Sequence, residues 1–370
     1  MFRSTIRQRT ARLKLLATLV AILGAALTTW AASARPAQAV PHHTITVRPG
    51  TGTISAAVAK ARAGDTIKLL GGTFYDSVFI HLPLHISGAG ATRTTIRPPA
   101  TPHNPCNVEG MNGLCVSGPR DTHGNPERTK PLRDVTIDGL RVTGFTGSGV
   151  FGLNTDRLTV HDVWADRNEG YGIARFVSTR STFEHNTASY NGEAGFYVGD
   201  SPNAHSLVID NSADHNGFGV FLRDSTRVTA SGNRVWGNCI GIFALDSGEG
   251  APGDLPAGDY RITDNAAWGN NKACPAGEHP PFSGVGIGLF GVHDSLVRNK
   301  TVIANQPSGA SVGSSGIVLA STKVSGGADP SNNSIHDNDL SDNQPADIAS
   351  DRTGHGNKIL RQPLLQHPPR

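Results

Sequence analysis

Between Leu132 and Ser247 the chain keeps switching between short apolar runs and polar breaks, and the switching has a period. Cut before each break it reads LRDVTIDGLRVTGFTGSGVFGLN, TDRLTVHDVWADRNEGYGIARFV, STRSTFEHNTASYNGEAGFYVGD, SPNAHSLVIDNSADHNGFGVFLRD and STRVTASGNRVWGNCIGIFALDS, each 23 or 24 residues long. A self-similar unit of this length carrying three short strand-like runs is one turn of a β-helix. Leucine-rich repeats need a leucine consensus that is missing here, and propeller blades need about 40 residues. The pattern continues with insertions through YRITDNAAWGN, SLVRNKTVIAN and NSIHDNDLSDN. It predicts an all-β fold, a single-stranded right-handed parallel β-helix (a solenoid) of about seven coils. The solenoid should occupy 40–360, with insertions near 101–131, 247–258, 271–284, 306–315 and 323–332, before a disordered C-terminal tail over 361–370.

Two asparagine columns run through the repeats. Asn186, Asn211, Asn233, Asn265, Asn299 and Asn338 form the first, with Gly139 and Asp162 at the same place earlier. Asn168, Asn191, Asn216, Asn238, Asn270, Asn305 and Asn343 form the second. Asparagine tolerates the left-handed backbone of a sharp bend and its amide can hydrogen-bond along a stack, so each column predicts a corner.

Strand alternation then separates inside from outside. In the strand that ends each coil, Val150, Ile173, Phe196, Val220, Ile242, Ile287 and Ile317 should point inward. So should the column two residues on: Gly152, Arg175, Val198, Leu222, Ala244, Leu289 and Leu319. The column between them, Phe151, Ala174, Tyr197, Phe221, Phe243, Gly288 and Val318, should face solvent as an aromatic stripe on which sugar rings could stack. It becomes ordinary core if an insertion such as 101–131 or 271–284 folds over it.

The repeat V-T-I-x-x-N-x-x-x-x-N…G-I-x-L resembles that of the pectin-lyase-like superfamily, particularly the group called periplasmic copper-binding or nitrous-oxide-reductase accessory proteins. The stretch ITVRPGTGTISAAVAKARAGDTIKLLGGTFYDSVFIHLPLHISGAG is similar to the start of that fold. It implies a strand and a short N-terminal capping helix near Ile54 to Ala63, covering the open end of the solenoid, whose edge would otherwise template aggregation. The resemblance spans 44 to about 360 and implies a polysaccharide groove on the sheet carrying the aromatic stripe. It leaves the chemistry open, because lyases, hydrolases, epimerases and inactive proteins share the fold. Alginate epimerases of this fold carry Asp-Pro-His-Asp after a Tyr-Gly strand start; here Tyr171-Gly172 is followed by Ile173-Ala174-Arg175-Phe176.

Composition adds the compartment. Arg3, Arg7, Arg9, Arg12 and Lys14 precede an apolar run from Leu15 to Leu27 and the small-x-small triplet Ala37-Gln38-Ala39, which reads as a secretory signal over 1–39; an uncleaved anchor is the alternative. That segment holds six of the 33 Lys and Arg residues and none of the 30 acids, so the remainder has 27 bases against 30 acids, a net charge of −3. This is no basic stripe for nucleic acid. The expected product is a secreted, extracellular monomer with no stable membrane span after processing. Four cysteines in an exported chain predict disulfides, Cys106 with Cys115 and Cys239 with Cys274, with a zinc site as the alternative.

Candidate chemistry clusters at the end of the aromatic strand. Asp200, Asp224 and Asp246 occupy one position in three consecutive coils, each followed by Ser. Neighbouring coils lie about 5 Å apart and next-but-one coils about 10 Å, bracketing the carboxyl separations of retaining and inverting glycosidases. Such acids could share a Ca²⁺, or they could simply open turns. No cofactor is certain, and the scattered histidines, His161 and His185 among them before the first corner, give no convergent metal set. Arg223 should lie outside, ready for a uronate carboxylate. Arg175 interrupts an apolar column, so a bulge turns it outward toward substrate or it is buried against an acid such as Glu169 or Glu193.

Two functions follow. In one, the protein binds an acidic polysaccharide through Phe151, Arg175, Tyr197, Phe221 and Phe243, and cleaves or modifies it as a lyase or glycoside hydrolase through Tyr197, Asp200, Arg223, Asp224 and Asp246. In the other, it is a non-catalytic surface, matrix or accessory solenoid.

Overall fold

The computed structural model describes residues 42–360 and 362, except 102–103, 107–109, 251–255, 278 and 299. The expected signal over 1–39, and all of the expected tail but Gln362, lie outside the described residues. The chain winds into three parallel sheets. Sheet 1 has 12 strands from Thr44–Val47 to Lys358–Ile359; sheet 2 has 10 from Gly72–Tyr75 to Asp339–Ser341; sheet 3 has 10 from Val78–Ile80 to Ile348–Ser350. Each strand pairs with its counterpart one turn away, as Val150 with Ile173 and Ile173 with Phe196. The stack is therefore taller than seven coils, because the less regular N-terminal stretch adds strands to every sheet.

The inward columns assemble as expected: Val150, Ile173, Phe196, Val220, Ile242, Ile287 and Ile317 are fully buried and belong to one continuous core. The helix over Thr53–Val58 is shorter than expected. Gly64 turns left-handed and Asp65 accepts from the Arg62 amide at 2.8 Å, diverting the chain. Asp76 accepts from the amides of Ile54 and Ser55 at 2.9 and 3.0 Å, so a neighbouring turn caps the helix start while Ile54, Ala57 and Val58 are buried.

The second asparagine column is an unbroken ladder, Asn168 to Asn343, each side-chain amide donating to the next oxygen at 2.9–3.2 Å. The first runs Asn186, Asn211, Asn233, Asn265 at 2.9–3.1 Å and then stops. Ala266 pairs with Thr301, which puts Lys300 rather than Asn299 opposite Asn265. Asn299 lies outside the described residues. The Lys300 side-chain nitrogen and the Asn338 amide oxygen are both buried without a hydrogen-bond partner among the described residues, and burial pushes the lysine down to about 6. The earlier members shift by one as well: Val163 and Leu140 align with Asn186, not Asp162 and Gly139. His161 pairs with Asp138, a position before His185. The left-handed residue is the one preceding the asparagine, as at His185, Asp210, Asp264 and Asp337, so the asparagine supplies the ladder and its neighbour the bend.

Both expected disulfides are present, Cys106–Cys115 and Cys239–Cys274. Among the described residues no helix is long and apolar enough to cross a membrane.

Candidate functional site

The outer column of sheet 3 has the expected register, Phe151, Ala174, Tyr197, Phe221, Phe243, Gly288, Val318. Most of it is not exposed. Tyr197, Phe221 and Phe243 are 0%, 7% and 3% accessible, in a second apolar cluster with Phe218, Phe282 and Phe290. The 271–284 insertion makes this cover: Cys274 and Phe282 bond to each other in a small hairpin at 2.8 and 3.0 Å, and Cys274 is tied to Cys239. The Phe282 ring then sits against Phe218, Phe243 and Phe290 at 5.5–6.1 Å. The expectation of a solvent-facing stripe is corrected to a buried one over this half, since covering several rings removes more apolar surface from water than leaving them as a platform.

Phe151 stays half-buried, and the face continues in a column that strand alternation also sends outward: Leu153, Phe176, Gly199, Arg223, Leu245. The Phe151 and Phe176 rings lie 5.2 Å apart, and Phe176 and Tyr171 close over Tyr197 at 4.6 and 4.7 Å. Tyr197 can lie flat along its strand because Gly199, two residues on, has no side chain; a Cβ there would stand 2.1 Å from the phenol oxygen. That oxygen is buried without a hydrogen-bond partner among the described residues, and burial drives the phenol well above its usual range.

The three acids separate by role. Asp224 accepts from the Ser247 amide at 2.8 Å and its hydroxyl at 2.5 Å, and lies 3.2 Å from the Arg223 Nε. Asp246 accepts from the Gly248 amide at 3.0 Å, and burial raises its pKa. Both therefore open turns. Asp200 accepts no hydrogen bond among the described residues; burial raises its pKa although the Arg223 and Arg128 charges oppose the shift. Arg223 is 27% exposed and pairs with Glu249 from the 247–258 insertion. The Arg128 charge, carried on the 101–131 insertion, acts on Asp200.

Arg175 is corrected outright. It points inward at 0% exposure, without an acid, donating to Ser201 Oγ at 2.7 Å, Ser206 Oγ at 2.9 Å and the Ser178 carbonyl; burial lowers it to about 9. Small hydroxyl residues stacked at that corner leave room for the guanidinium, so neither a bulge nor Glu169 or Glu193 is involved.

The structure thus brings together Tyr197, Asp200, Arg223 and Asp224, leaves Phe151 at the edge, and removes Phe221, Phe243 and Arg175 from any surface. Sequence reasoning missed Tyr171, Phe176, Leu245, Glu249 and Arg128. Phe176 and Leu245 were readable by carrying the two-residue alternation one step further. Glu249 and Arg128 sit on insertions whose path no periodicity specifies. No group of three or more His, Cys, Asp or Glu side chains converges as a metal site among the described residues.

The family described as right handed beta helix region matches residues 104–252. This chain folds as a right-handed parallel β-helix. It is similar to the A-module of the Azotobacter vinelandii mannuronan C-5 epimerase AlgE4 at 17% identity, covering 86% of this chain and 98% of that one, with a TM-score of 0.57. The Dettilon tailspike protein aligns at 16% identity over 84% of this chain and 62% of its own, TM-score 0.55. DFA-IIIase from Arthrobacter chlorophenolicus A6, without its lid, aligns at 13% over 86% and 94%, TM-score 0.52. No curated protein matches the sequence.

Proposed function

We propose that this chain is a secreted carbohydrate-active protein that binds an acidic polysaccharide on the open half of sheet 3 and acts on it beside Asp200. The observation that carries the reading is an uncommitted carboxyl, Asp200, within the electrostatic influence of Arg223, a partly exposed guanidinium that pairs with Asp224 and Glu249, at the end of a half-buried aromatic floor. One protein of similar fold is named for acting on a polysaccharide, the mannuronan C-5 epimerase.

Arg223 pairs with a uronate carboxylate, and Phe151 with Phe176 packs against the neighbouring sugar. Neutralising the uronate carboxylate acidifies its C5 proton, and Asp200, whose pKa burial raises, serves as the base that takes it. Tyr197 does not fit that part, because burial keeps its phenol protonated. A Ca²⁺ bound to the uronate would add to this carboxylate neutralisation. The commitment of Asp224 and Asp246 to turns favours a second reading, in which the same surface binds glycan without cleaving it.

A panel of polyuronates, offered with and without chelator, separates these readings. Arg223→Ala should lose binding by about tenfold or more, while Asp200→Asn keeps binding and stops product release. Binding without release from the wild-type protein establishes the accessory reading. Binding unchanged in both Arg223→Ala and Tyr197→Ala overturns the site.

A further inference from the structure

The outer face of sheet 3 does not end at Phe151. Phe151 pairs with Cys115 and Cys115 with Phe79, so the same column runs two strands further toward the N-terminal end. There the face sinks into a cleft of about 440 Å³ lined by Phe79, His81, Cys106, Ser117, Pro119 and Arg120 among others. The rings of Phe79 and His81 stack 5.3 Å apart with 19° between planes and make one flat wall.

Described residues of both remaining walls are anchored to the coil. One is tied to the sheet by the Cys106–Cys115 disulfide, and the Asn112 side chain donates to the Cys106 carbonyl at 3.0 Å. The other is held by Asn154, whose amide donates to the Glu127 carbonyl at 2.9 Å and the Pro119 carbonyl at 3.4 Å. A preformed concavity with few polar groups is the ordinary form of a small-ligand site, and preorganisation lowers the ordering cost of binding. Arg120, half-exposed, brings a positive charge, and His81 is exposed. The neighbouring Asp121 is consumed in its own turn, accepting from the amides of His123 and Asn125 at 2.8 and 2.9 Å.

The cleft and the Arg223 site lie on one outward column of sheet 3. Ser117 pairs with Leu153, Leu153 with Phe176, Phe176 with Gly199 and Gly199 with Arg223. Four strand spacings of roughly 4.8 Å make about 19 Å, the span of a few sugar rings, and the half-buried Leu153 and Phe176 floor the path. Beyond Arg223 the 271–284 insertion seals the face, so the open run is bounded by the cleft at one end and that cover at the other.

We propose that this cleft is a terminal sugar-binding subsite, taking the end unit of an acidic oligosaccharide whose other units cross Phe176 and reach Arg223. Stacking on Phe79 and His81 holds the ring, and Arg120 pairs with its carboxylate. The proposal rests on the reading of Arg223 as a uronate-binding residue, and oligomer length separates the two. Calorimetry with a uronate dimer and a pentamer should show the pentamer binding more tightly to the wild-type protein. Arg120→Ala and His81→Ala, both at exposed or half-exposed positions, should each weaken the pentamer by about tenfold and leave the dimer unchanged. Arg223→Ala should weaken both. If neither Arg120→Ala nor His81→Ala changes pentamer affinity while Arg223→Ala does, the cleft is not a subsite and the Arg223 site stands. If the wild-type protein binds neither oligomer, both are overturned.

Discussion

The two halves of the sheet 3 face are built from the same strands in the same register, yet one is sealed and the other open. Toward the C-terminal side Phe218, Phe221, Phe243 and Phe290 lie under Phe282 and form a second core. Toward the N-terminal side Phe151, Phe176, Asp200 and Arg223 keep contact with solvent. The strands do not make the difference; the insertions do. A disulfide-tethered hairpin that brings its own aromatic ring closes a face, whereas insertions that bring Arg128 and Glu249 leave a charged edge that water must still reach. An aromatic stripe in a solenoid is thus core or binding surface according to what lies above it.

The sealed half can be broken most directly. Phe282→Ala should cost about 3–5 kcal/mol in chemical denaturation and raise binding of a hydrophobic dye; a loss below about 1 kcal/mol would mean that the hairpin is not a structural cover. Comparing the halves across pH first requires removing a background from Lys300, which lies off this face. Its folded pKa, about 6, is below the unfolded value, so between the two the unfolded chain binds the extra proton. Stability should therefore rise with pH from about 6 toward 10, by up to about 1.4 kcal/mol per unit, and Lys300→Met should flatten that slope in melts run across the range. In the open half, Asp224→Ala leaves the Ser247 amide and hydroxyl without their acceptor and should cost about 1–3 kcal/mol by the same denaturation.

Asp200→Asn is the mildest change and sharpens the contrast most. With no hydrogen bond to lose, it should shift stability by no more than about 0.5 kcal/mol. The sign near neutral pH should be stabilising: the folded pKa of Asp200 is raised, so the wild-type chain loses stability as pH climbs from the ordinary carboxylate range through that value. A destabilisation as large as that of Asp224→Ala would place Asp200 among the turn-locking acids and remove it from the chemistry.

Much of the fold was legible because a solenoid repeats itself. Column membership along Asn168 to Asn343 needed only counting, as did the inward rows through Val150 and Val220 and the partnership of each cysteine pair. Counting failed by one residue at Lys300, because an Arg-Asn-Lys run offered an asparagine one place too early. The site was half legible: Asp200, Arg223 and Tyr197 were named from their shared strand position, while Glu249, Arg128 and the cleft walls were not.

The sequence alone determined the coil, its register and which side chains share a row, since strand alternation and backbone pairing are local rules repeated along the stack. Only the tertiary structure decided which rows meet water, which acid stays uncommitted and where Arg175 finds its partners. Those outcomes depend on irregular insertions and on contacts between residues more than twenty positions apart, for which the repeat carries no instruction.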